Sequence, residues 1–247
     1  MDQFQVWKIA IDPVDPDTIF AGTKPSALFR SRDGGQHWDQ LSVELADECP
    51  NVRIPRVTAL VVDPSDHNVV WAGVEVDGVR RSLDGGDTWT HIKGGLNDPD
   101  IHDIAISMAE PKTVLTITPG EIFASTDVGE SWQGLGVRKH FNMPYCRSVA
   151  VKEDDPKVIF IAAGDAPVGI TGNLQRSRDM GQTWERIEMP VEPNTPMWAF
   201  ATHPVNPDLI LSCSHYGELF ASADGGDWWV KLRREFTEVR SLAWTPN

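Results

Sequence analysis

The pattern Ser-x-Asp-x-Gly-x-x-Trp occurs five times: SRDGGQHW from Ser31, SLDGGDTW from Ser82, STDVGESW from Ser125, SRDMGQTW from Ser177 and SADGGDWW from Ser222. Its aspartates stand at 33, 84, 127, 179 and 224, so the repeat unit is roughly 43 to 52 residues long. Self-similarity at that period restricts the chain to architectures in which each unit buries its apolar faces on its neighbours.

The flanks repeat as well. Ahead of each box come two apolar runs joined by a polar turn: IAIDPVDPDTIFAG, LVVDPSDHNVVWAG, IAISMAEPKTVLTI, VAVKEDDPKVIFIA and FATHPVNPDLILS. Short runs rich in Val, Ile, Phe and Leu, bounded by Pro, Asp and Asn, read as strands. No long window shows a helical period. Each unit therefore reads as four strands, with the box on the hairpin between the third and fourth. Four strands per unit of this length is the pattern of a propeller blade. The expectation is an all-β propeller, one domain over 1–247, with blades at 6–42, 57–93, 101–135, 146–189 and 197–233. A sixth copy of the first strand, VRSLAWTP, falls within 238–246 and is followed by no box. The expectation is a six-bladed ancestor, with the last strand left by shortening or pairing irregularly or with a second molecule.

The box chemistry is that of a turn. Gly35, Gly86, Gly129, Gly181 and Gly226 suit positive φ. The carboxylates of Asp33, Asp84, Asp127, Asp179 and Asp224 suit backbone N–H groups within the turn, the serine hydroxyl a second local bond, and the tryptophan a ring folded over the hairpin. An aspartate repeated by symmetry is structural. One carboxylate per turn is too few for calcium.

Composition removes several classes. The formal net charge is −14, which opposes nucleic acid. No apolar run is long enough for a membrane helix, and MDQFQVWKIAIDP has no secretory pattern, so the expectation is a cytoplasmic protein. Cys49, Cys146 and Cys213 lie far apart without a CxxC, as reduced thiols do, and scattered histidines give no metal spacing. Neither a metal nor a cofactor is expected.

These boxes resemble the Asp-box, or BNR repeat, of β-propellers, over nearly the whole chain. The chain is most similar to stand-alone bacterial BNR-repeat proteins described as sialidase-like or glycosyl-hydrolase-like. More distant resemblance extends to xyloglucan-degrading propellers, sortilin-type receptors and photosystem II assembly factors. The resemblance implies a propeller and no single activity.

Aligning the first strands places Trp7, Thr58, His102, Arg147, Trp198 and Arg240 at one repeat position whose residue type varies. Structural positions keep their residue type, so this one points to ligand contact on the face opposite the boxes. Trp7 and Trp198 suit stacking, Arg147 and Arg240 an anion, with His102 and His215 beside them. The alternative is a water-filled rim with each arginine paired to an acid such as Asp103 or Glu238. The same face carries two insertions that break the repeat, around Val137–Tyr145 and Asp165–Gly172.

Catalysis has weaker support. Tyr216 and Glu218 in SHYGEL offer a tyrosine with a carboxylate, as a sialidase nucleophile requires. Arg53-Ile54-Pro55 mimics a sialidase motif but follows the first box. A glycosidase needs two facing carboxylates, and Glu75, Asp77, Asp103, Glu121, Asp165 and Glu218 are available without a selected pair. The leading expectation is thus a propeller that binds a small molecule, a carbohydrate or anion, or a protein partner, with possible self-association through the unclosed blade. The alternative is a glycoside hydrolase or lyase using Tyr216, Glu218, His102 or Asp165.

Overall fold

The computed structural model describes residues 3–50 and 52–246. The fold is an all-β five-bladed propeller of four-stranded antiparallel blades with almost no helix. Blade one comprises β1 (Gln5–Ile11), β2 (Ile19–Lys24), β3 (Leu28–Ser31) and β4 (Asp39–Gln40). Blade two comprises β5 (Val57–Val62), β6 (Val70–Val74), β7 (Gly78–Ser82) and β8 (Thr90–Ile92). Blade three comprises β9 (Asp103–Ser107), β10 (Thr113–Thr118), β11 (Glu121–Ser125) and β12 (Gln133–Gly134). A single turn of helix, α1 (Val137–His140), precedes blade four: β13 (Tyr145–Lys152), β14 (Asp155–Gly164), β15 (Gly172–Ser177) and β16 (Glu185–Arg186). Blade five comprises β17 (Met197–Ala201), β18 (Ile210–Ser214), β19 (Leu219–Ser222) and β20 (Val230–Lys231). The segment 238–246, expected as a strand, joins no ladder. Its Val239 N–H donates to the His215 carbonyl at 3.0 Å.

The chain divides into two compact units, one of Met1–Ile106 with Ser125–Gln133, the other of Ser107–Ala124 with Gly134–Asn247. In the first, blades one and two share a core of Phe20, Leu28, Val57, Leu60, Val62, Val70 and Ala72. In the second, blades four and five bury Phe160, Leu174, Ile187, Met197, Ile210, Phe220 and Trp229 together. Burying each large side chain of this kind contributes about 2–3 kcal/mol.

The box hairpins close these interfaces. In every box the serine Oγ donates to the aspartate Oδ1 at 2.7–2.8 Å and accepts the glycine N–H at 2.8–2.9 Å. In four boxes the tryptophan Nε1 donates to that glycine's carbonyl at 2.9–3.1 Å. Trp132 instead sets its ring edge-on to Trp71. The glycine is required twice over. Gly86, Gly129 and Gly226 have φ of +92°, +85° and +94°, and a Cβ on each would meet the ring of Phe20, Trp71 or Phe160 at 2.6–2.8 Å. An aromatic ring on the second strand of one blade thus seats beneath the box glycine of the next.

A second lock sits beside it. Arg30 donates to the Gly85 carbonyl and pairs with Asp87 at 2.7 Å; Arg81 donates to the Val128 carbonyl and pairs with Glu130 at 2.9 Å; Arg176 pairs with Asp227 at 2.6 Å. Ala124 stands at the arginine position of blade three, and the following box carries Gln182 in place of the acid.

Candidate functional site

The first strand of four blades carries a bulge at one repeated place. The ladder register shifts between Val6 and Lys8, Val57 and Ala59, Cys146 and Ser148, and Met197 and Ala199. The extra residues are therefore Trp7, Thr58, Arg147 and Trp198. A bulge frees one residue from ladder pairing and re-aims its side chain. The backbone feature is repeated while the side chain varies.

In the second unit these residues build a stack. The Arg147 guanidinium lies 4.1 Å from the Trp198 ring centroid. Trp198 faces His215 with centroids 4.0 Å apart, and His215 faces Tyr216 at 5.2 Å with 33° between planes. Arg147 is buried, Trp198 half-buried, and Tyr216 is 52% exposed, so Tyr216 is the solvent end of the stack. Glu238 Oε1 lies 3.3 Å from His215 Nε2 and accepts from Arg240 Nε at 2.8 Å and Nη2 at 2.6 Å.

Local sequence fixes this end. Asn194 to Pro196 holds the β18–β19 turn: the Tyr216 N–H donates to Thr195 Oγ1 at 3.1 Å, Asn194 Nδ2 to the Tyr216 carbonyl at 3.4 Å, and the His215 N–H to the Pro196 carbonyl at 3.0 Å. Gly217 has φ of +86°, and a Cβ there would collide with the Phe236 backbone, so only glycine lets the segment through Phe236 run so close. Phe236 is 45% exposed beneath the Arg234 guanidinium. Burial pushes the His215 pKa down; Glu238 opposes this, and Arg240 and Arg147 add to it. The balance favours the neutral imidazole.

Arg147, Trp198, the adjacent pair His215 and Tyr216, and Arg240 come together here. Trp198 does not present a bare ring, because Arg147 and His215 are packed on it; it is the plank that places them. Trp7 and His102 lie in the first unit. The Arg56 guanidinium covers Trp7 at 4.4 Å and pairs with Glu75 at 2.5 Å, and His102 is buried 3.6 Å from Asp100.

The expected catalytic carboxylates have other duties. Glu218 is buried, pairs with Lys231 at 2.7 Å and accepts the Asn194 N–H at 2.8 Å, so it is no base for Tyr216. Asp165 accepts the N–H groups of Ile170 and Thr171 and shapes its own loop. Glu121 accepts from Gly136 and Val137 at the start of α1, and Asp77 pairs with Arg80 at 2.8 Å. No cluster of His, Cys, Asp and Glu among the described residues could hold a metal ion. One neighbour of this end went unseen in the sequence, Phe236, which the Gly217 turn brings alongside; in the first unit the same holds for Arg56, which no repeat marks.

No family model matches the chain. It is 24% identical over 285 residues to xyloglucanase Xgh74A of Acetivibrio thermocellus, an alignment covering 94% of this chain and 33% of that protein. The chain therefore spans about a third of that relative's length. Among solved structures, the GH74 enzyme of Niastella koreensis superposes with a TM-score of 0.70 at 19% identity, over 92% of this chain and 38% of its own. YCF48 from Cyanidioschyzon merolae superposes with a TM-score of 0.62 at 14% identity, over 96% and 72%. Both superpositions speak to the fold.

Proposed function

We propose that this chain is a carbohydrate-binding propeller that holds a glucan of the xyloglucan type against Tyr216, without cleaving it. The observation that carries the reading is the stack Arg147–Trp198–His215–Tyr216, which ends in an exposed phenol ring, with the Glu238–Arg240 pair against His215. An aromatic plane receives the C–H face of a pyranose. A carboxylate and a guanidinium close by receive and donate hydrogen bonds to ring hydroxyls. The similarity to a xyloglucanase supports the ligand class. Hydrolysis is the second reading on the strength of that same similarity, and the commitment of Glu218 to Lys231 weighs against it.

Calorimetric titration with xyloglucan oligosaccharides tests this. Tyr216→Ala is expected to weaken binding about tenfold, the equivalent of about 1.4 kcal/mol. Absence of binding by the wild-type protein, or an unchanged affinity in the variant, refutes the proposal. Steady release of reducing ends from the polymer moves the assignment to the hydrolase.

A further inference from the structure

One difference among the five boxes changes what the hairpin exposes. In four of them the residue before the tryptophan bonds the aspartate Oδ2: His37 Nδ1, Thr88 Oγ1, Ser131 Oγ and Thr183 Oγ1, at 2.5–2.6 Å. In the fifth it is Trp228, which keeps the backbone bond to Asp224 Oδ1 at 2.9 Å. An indole has no short hydroxyl with which to reach Oδ2, and this one stands 68% exposed. The hairpin has given up a side-chain bond to the turn and placed a large flat ring in water. Val230, two residues on and 48% exposed, extends the apolar surface.

The neighbouring polar groups give the surface its chemistry. Asp227 Oδ1 accepts from Arg176 Nη1 and Arg178 Nη2, both at 2.6 Å, and Glu185 Oε1 accepts from Arg176 Nε at 2.6 Å and Arg178 Nε at 3.3 Å. Arg178, Asp227 and Glu185 are each more than half exposed. Two guanidinium groups and two carboxylates sum to no net charge. The rim therefore attracts neither an acidic nor a basic partner, yet it presents donors and acceptors held in place by their bonds to one another. A flat ring with such groups close by matches a neutral pyranose.

We infer that Trp228, next in the chain to Asp227, which Arg178 holds, forms a second carbohydrate-binding site, on the box end of blade five. The inference takes its ligand class from the reading of Tyr216 as a glycan platform. Two sites on one chain raise retention by a long polymer through effective concentration, with little demand on either alone.

The deciding variant is Trp228→Thr, which restores the residue found in boxes two and four and is expected to fold at least as well as wild type. Native electrophoresis through soluble xyloglucan reads retention, and calorimetry with xyloglucan oligosaccharides reads binding capacity. Trp228→Thr is expected to weaken polymer retention several-fold and halve the oligosaccharide capacity, with the thermal midpoint held or raised. Unchanged retention and capacity in Trp228→Thr, alongside a loss in Tyr216→Ala, overturns this site and leaves the Tyr216 reading standing. No retention of the wild-type protein overturns both. Retention lost in Trp228→Thr and kept in Tyr216→Ala supports this site and removes the other.

Discussion

Asp84 is the cleanest place to test the claim that the box carboxylates hold turns rather than do chemistry. Its Oδ1 accepts the Ser82 hydroxyl at 2.7 Å and the Thr88 N–H at 2.8 Å, and its Oδ2 accepts the Thr88 hydroxyl at 2.6 Å. Asp84→Ala removes all three. At an exposed turn, where water competes, each contributes about 0.5–1 kcal/mol, so the variant is expected to lose about 2 kcal/mol. For a chain of this size that lowers the thermal midpoint by about 4–8 °C. Asp84→Asn keeps an acceptor but not the charge and is expected to lose about half as much.

The pH dependence separates this account from a loss of packing. The hydroxyl of Thr88, then its N–H, then the hydroxyl of Ser82 hold the Asp84 pKa down at about 2, against 3.8 for an unperturbed aspartate. A carboxyl whose folded pKa is depressed contributes its full stability above the unfolded value and loses it as pH falls through the folded one. The gap between wild type and Asp84→Ala is therefore widest above about pH 4 and closes toward about pH 2. Scanning calorimetry across that window reads it directly. A gap under about 1 °C at neutral pH, or one that widens on acidification, refutes the reasoning.

Two further outcomes follow from the same structure. Val128 sits at φ of 58°, where boxes one, two and five have glycine, so Val128→Gly is expected to raise the thermal midpoint. Relief of about 1–2 kcal/mol of left-handed strain outweighs about 0.4–1 kcal/mol of added chain entropy, and a lowered midpoint refutes it. Burial is the chief cause that favours the neutral form of His215, with its folded pKa below the unfolded 6.5. Its contribution to stability is complete above 6.5 and lost as pH falls from there toward the folded value, so the thermal-midpoint gap between wild type and His215→Gln is expected to be flat above that pH and to narrow below it. A gap that widens on acidification contradicts the assignment.

The repeat was enough to give an all-β propeller of four-stranded blades, because each strand is either an apolar run or a box flank, and both recur at fixed offsets. It was not enough for 238–246. VRSLAWTP has the apolar spacing of a first strand, but spacing encodes burial, whereas a ladder needs a neighbouring strand in register. The inter-blade arginine locks were also hidden. Arg30, Arg81 and Arg176 precede box serines in the same way that Ala124 and Ala221 do, and only the pairing with Asp87, Glu130 and Asp227 gives them meaning.

The candidate site was half legible for a related reason. A varying residue at a repeated position marks a place where structure does not dictate side-chain type, and that pointed to Arg147, Trp198 and Arg240, which the structure brings near one another. For Arg147 and Trp198 the bulge supplies the cause: each is released from its ladder, so its side chain can change without disturbing the sheet. What variation cannot report is which released side chains touch one another. That Trp198 supports Arg147 and His215 rather than a ligand depends on the angle at which two bulges meet across neighbouring blades. That Tyr216 is the exposed end depends on a glycine turn pinned by Asn194 and Thr195. Trp228 obeys the same logic from the opposite direction. There the position is structural in four hairpins, so its one departure from a polar residue is where the repeat stops constraining the side chain and a ligand could select it.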